Sequence, residues 1–142
     1  MDIFEEFLSC TLEERCNIAV NSVNKLTEFF HKAGLLDDKG GEEFLVTFIA
    51  VLMGQAIGAD GVITPNEAKV FNAVFDRNLS PNELRDFIGN SLEIQSLESV
   101  DNIVDSLPEE QKQFVAYIIL AVISADGDID EIEKKYIYTI IG

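Results

Sequence analysis

The chain has 142 residues, 47% of them hydrophobic, with 26 acidic against 10 basic side chains and a formal net charge of −16. That length suits one domain, over residues 1–142, with ample apolar material for a core. So negative a surface repels phosphate backbones and anionic headgroups, which argues against nucleic acid and anionic membrane as partners and leaves basic proteins, metal cations or no particular partner.

The first ten residues, MDIFEEFLSC, are acidic where a secretory signal is basic, so a cytoplasmic, reducing setting is expected. Cys10 and Cys16 with the single His31 do not make a zinc set. Thr11 and Glu14 form the Thr-x-x-Glu capping box of a first helix. Its stripe is Leu12, Cys16, Ala19, Val23, Leu26 and Phe30, and Gly34 is its expected stop. LLDDKGG reads as a loop without the Gly-Lys-Ser/Thr of a phosphate loop.

Residues 42 to 59 read as a nearly all-apolar helix, shorter than a membrane span of roughly 20 residues. A helix over 65–77 turns Val70, Phe71, Val74 and Phe75 inward. Ser80 and Pro81 open a short helix through Leu84, Phe87 and Ile88. Residues 97–106, Pro108 to about Ala125, and Glu131–Ile141 complete the helical segments. No strand is expected. The fold class is all-α, a compact bundle of seven or eight helices. Phe29 with Phe30, Phe71 with Phe75, and Tyr136 with Tyr138 are expected in the core. Tyr138 and Ile141 could instead present an apolar patch to a partner or a second copy.

One stretch is written twice. Residues 48–69 laid over 114–135 are identical at nine of 22 positions: Phe48/Phe114, Ala50/Ala116, Ile57/Ile123, Ala59/Ala125, Asp60/Asp126, Gly61/Gly127, Ile63/Ile129, Glu67/Glu133 and Lys69/Lys135. This is an internal helix–turn–helix repeat, with halves of about 42–77 and 108–142. Gly61 and Gly127 suit a left-handed turn residue. Ile63 and Ile129 cover the junction. Thr64 or Asp130 caps the next helix, with Glu67 or Glu133 closing the box. Asp60 and Asp126 resist that grammar, because a carboxylate at a helix C-terminus meets the dipole with the wrong sign, at a cost of about 0.3–1 kcal/mol. Three compensations are open: the backbone N–H groups of the next helix, Lys69 or Lys135, or a cation.

The doubled ADGVITPNE and ADGDIDEIE, each following an apolar helix, resemble the TerB-like domain of tellurite-resistance proteins and a related domain at the N-terminus of a membrane-anchored DnaJ-like co-chaperone. The resemblance covers roughly residues 40–142. It implies an all-helical bundle of two similar halves. It also implies a non-enzymatic intracellular role in stress response, with the acidic turns implicated in metal binding. By position, the candidates are Asp60 and Glu67 in the first copy, and Asp126 and Glu133 in the second. Asp128 and Asp130 enrich the second copy, where the first has Val62 and Thr64.

An EF-hand counted from Asp126 needs Gly at its sixth position and Glu at its twelfth, but Glu131 and Ile137 stand there. A different oxygen site of Asp126, Asp128, Asp130 and Glu133 suits a divalent cation: calcium, magnesium, manganese or zinc. Catalysis has little to build on, since the lone His31 sits beside Lys32 where it complements a helix dipole. The expected role is therefore a non-enzymatic stress-response binding protein with cation-holding turns. The alternative is an interaction or assembly module, paired with another protein or itself, whose turns are only helix caps.

Overall fold

The computed structural model describes residues 3–33, 42–57, 63–94, 96–127 and 129–141. Among them are eight helices and no strand: α1 Ile3–Ser9, α2 Leu12–Lys32, α3 Glu42–Ile57, α4 Pro65–Phe75, α5 Pro81–Ile94, α6 Leu97–Ser106, α7 Glu109–Ile123 and α8 Glu131–Ile141. The all-α expectation holds. Gly34, the LLDDKGG loop and residues 58–59 lie outside the described residues, as do the side chains of Leu97 and Ile141.

Apolar content sorts the helices into layers. Helices α3 and α7 are hydrophobic nearly all round, so each must be enclosed by others. From Phe44 to Met53 every α3 residue is buried, as is every α7 residue from Ile118 to Ile123. Helix α7 packs against α1, α2, α3, α4 and α8, while α3 is enclosed by α5, α6, α7 and α8. The amphipathic helices form the outer layer. In α2 the stripe buries Ala19, Leu26 and Phe30 fully and leaves Leu12, Cys16 and Val23 half-buried. Phe30 meets Phe44 and Phe48 nearly edge-on, at centroid distances of 6.1 and 5.8 Å.

Helix α1 is an element the sequence reading did not include. It buries Phe4 and Phe7. Arg15, only 5% exposed, fastens it: Nε donates to the Phe7 carbonyl at 3.0 Å and a terminal nitrogen to that of Leu8 at 3.2 Å. Both are among the last carbonyls of α1, and a charged donor thus reaches Leu8 and adds to the Cys10 N–H on Phe7. Helix α5, expected to be short, runs for 14 residues, and its buried face continues past Ile88 to Ser91, whose hydroxyl donates to the Phe87 carbonyl at 2.8 Å. Its start is a reciprocal box, Ser80 N to Glu83 Oε1 at 3.0 Å and Glu83 N to Ser80 Oγ at 3.1 Å.

Helix α4 stops at Phe75, two residues earlier than expected. Asp76 takes a left-handed conformation, φ 53° and ψ 50°, which ends the helix. Asn72 then holds the following loop, donating to the Leu79 carbonyl at 2.8 Å and accepting its N–H at 3.1 Å. Helix α7 runs Glu109–Ile123 rather than from Pro108 to Ala125, with Pro108 as its N-cap. Helices α3 and α5 approach closely at Gly54, where an added Cβ would lie 2.7 Å from Ile88 Cγ2. Tyr138, expected in the core, is 53% exposed and touches Phe4 edge-on at 5.4 Å.

Candidate functional site

The second acidic turn begins where α7 ends. Ser124 is its C-cap, and Gly127 N donates to the Ser124 carbonyl at 2.9 Å. Gly127 has φ +83°, which glycine adopts at little cost. Asp126 therefore stands in the tight turn beyond the helix, not in its last turn. The dipole acts mainly on the final turn, so the electrostatic mismatch is smaller than the sequence suggests.

The Asp126 carboxylate is taken up by the other copy of the motif. Thr64 donates its hydroxyl to Oδ2 at 2.6 Å, and Asn66 donates its amide to Oδ1 at 3.1 Å. These two neutral donors are partners that the sequence reading did not foresee. The α8 N-terminus is served by Asp130, and among the described residues no ion pair joins Asp126 to Lys69 or Lys135.

Thr64 works on both sides of this junction. It accepts the Glu67 N–H at 3.2 Å while donating to Asp126, and its own N–H reaches Glu67 Oε1 at 2.9 Å. Glu67 is only 6% exposed, so this carboxylate sits against the cap rather than in solvent. At the start of α8, Asp130 accepts the Glu133 N–H at 2.7 Å and donates its own N–H to Glu133 Oε1 at 2.9 Å. Ile63 and Ile129 are both buried.

Of the six candidate ligands, Asp126 comes together with the cap of the Glu67 box, while Asp130 and Glu133 form the other box. Asp60 and Asp128 lie outside the described residues. Among the described residues no group of three or more His, Cys, Asp or Glu side chains is arranged to hold a metal ion. The capping roles of Thr64, Glu67, Asp130 and Glu133 were legible from spacing. The use of Asn66 was not, because nothing local signals a partner 60 positions away.

The remaining charged features are local. His31 and Lys32 lie in the last turn of α2, where cations complement the dipole. Cys10 and Cys16 are free and partly exposed, and burial, the largest influence, pushes both thiols up. Among the described residues no helix is long and apolar enough to cross a membrane. No protein-family model, curated protein or solved structure matches the chain.

Proposed function

We propose that the chain is a non-catalytic binding module whose acidic turns are structural, fastening one helix pair to the other. The observation that carries this reading is the use of Asp126: both carboxylate oxygens are taken by neutral donors of the opposite motif. A carboxylate so engaged has less to offer an incoming cation. Glu67, Asp130 and Glu133 each commit one carboxylate oxygen to a capping box within their own motif. The resemblance of the doubled motif to TerB-like domains supports a stress-response setting, and the two free cysteines support a cytoplasmic one.

The test is calorimetric titration of chelator-stripped protein with calcium, magnesium, manganese and zinc, beside Asp126→Asn and Asp130→Asn. Flat titrations from folded protein are expected. Saturable binding that either substitution weakens would replace this reading with that of a cation-binding stress protein.

A further inference from the structure

Helices α1 and α2 meet at a joint of two residues, Cys10 and Thr11, which holds neither glycine nor proline. Thr11 turns the chain there, with φ −73° and ψ 165°. Helical angles at the joint, with ψ near −42°, would line the two helices up as one.

The backbone at the joint has partners in either arrangement. In an unbroken helix the Thr11 and Leu12 N–H groups reach the Phe7 and Leu8 carbonyls, each four residues back. In the bent form Arg15 donates to those same two carbonyls, at 3.0 and 3.2 Å, and the Thr11 N–H turns to Glu14 Oε1 at 2.7 Å. The Cys10 N–H, now on the Phe7 carbonyl at 3.3 Å, would move to that of Glu6. Straightening therefore strands none of these carbonyls. It gives up the Thr11 capping box and frees Arg15, a charged side chain only 5% exposed, for water.

A straight joint also swings α1 off its own seat. Phe4 and Phe7 are each 3% exposed, held against α7 and α8. Phe7 meets Tyr117 at 5.9 Å, Phe4 meets Tyr138 edge-on at 5.4 Å, and Lys134 Nζ stands 5.6 Å from the Phe4 ring. Swung away, both phenylalanines and the vacated seat are apolar surfaces in water, which favours covering them again. The surface whose fit to α1 the structure displays is this seat. In a second copy it is the same seat, and that copy's α1 can fill the first.

We propose that the chain forms a reciprocal dimer by exchanging α1. In each copy α1 and α2 join into one helix over residues 3–32, and Phe4 and Phe7 dock between α7 and α8 of the other. The contacts at the seat are those of the monomer, so only the joint differs between the two forms. Short hinges invite such exchange. The acidic turns take no part, so this proposal and their structural reading stand or fall separately.

The experiment is size-exclusion chromatography with light scattering on the full chain, refolded from urea at micromolar and at millimolar concentration. The proteins are the parent, Thr11→Ala and Thr11→Pro. Alanine deletes the cap and suits a helix interior. Proline fits the φ of the bent joint, but inside a straight helix it lacks the N–H and clashes with the Phe7 carbonyl. A dimer is expected whose share rises with the concentration at refolding. Thr11→Ala should raise the dimerisation constant on the order of twentyfold, because a lost cap weighs about fivefold at each of two joints. Thr11→Pro should be folded by circular dichroism and monomeric. Should it not fold, a Gly-Gly insertion between Cys10 and Thr11, which also interrupts the straight helix, takes its place. If Thr11→Ala is no more dimeric than the parent, or the interrupted joint is no less dimeric than Thr11→Ala, the proposal is overturned.

Discussion

The carboxylate of Asp126 accepts the hydroxyl hydrogen of Thr64 at 2.6 Å, across 62 positions of sequence. Thr64 caps α4 with the same oxygen, so one hydroxyl joins the start of α4 to the turn that follows α7. Removing the carboxylate in Asp126→Ala should destabilise the fold by about 1 kcal/mol, the usual net worth of such bonds. Asp126→Asn should cost less, because its amide keeps one acceptor and Asn66 can rotate to suit it. Urea unfolding of both variants checks the order. Paired with Thr64→Ala in a double-mutant cycle, Asp126→Ala should show a non-zero coupling energy, whereas independent caps would be additive.

Gly54 and Ile88 make a second testable contact. An alanine Cβ at position 54 would meet Ile88 Cγ2 at 2.7 Å, a branch fixed near the backbone that cannot simply swing away. Overpacking of this kind costs about 1–3 kcal/mol, which should outweigh the gain of about 1 kcal/mol from placing Ala in a helix. Gly54→Ala should therefore lower the urea midpoint. Adding Ile88→Ala should cost less than the same change made in the parent.

Two left-handed residues should respond in opposite directions. Asp76 holds φ 53° with a side chain that dislikes it, and Asp76→Gly should stabilise by a few tenths to about 1 kcal/mol. Gly127 holds φ +83°, and Gly127→Ala should destabilise by about 1–2 kcal/mol although nothing lies within 4 Å of the added carbon. Thermal unfolding of both variants measures the pair.

Arg15 fastens α1 through two carbonyls, a geometry that lysine cannot reproduce from one nitrogen. Arg15→Lys should leave the rest of the bundle folded while raising amide exchange in Ile3–Ser9. Equal exchange in parent and variant would remove this role for Arg15.

Acid should weaken the helix starts. The Glu14 and Glu83 carboxyls lie below their ordinary value of 4.5, first because each accepts a backbone N–H, from Thr11 and Ser80, and then because of those residues' side chains. A lowered folded value means that the contribution is present above the unfolded value and is lost as pH falls through the folded one. The urea midpoint should thus drop as pH falls below that ordinary value. The drop should be shallower in Glu14→Gln/Glu83→Gln, whose amides close the same box without titrating.

Much of this structure follows from local rules visible in the chain itself. The capping boxes at Thr11, Thr64, Ser80 and Asp130 depend on residues three apart, so spacing alone announces them. Helices α6 and α8 begin and end where periodicity places them. The enclosure of α3, and of α7 from Phe114 onward, follows from their having no polar face. Helix α1 was less legible because two buried phenylalanines and an arginine eight positions on hold it in place. The early end of α4 turned on an aspartate in a conformation that sequence seldom signals. Tertiary structure alone decided what Asp126 does, because its partners Thr64 and Asn66 are brought near only when the helices pack. It alone also set Asp101 and Asp105 beside Tyr136 and Gln55, which local periodicity cannot do: a period describes one helix, and a cleft is made where several meet.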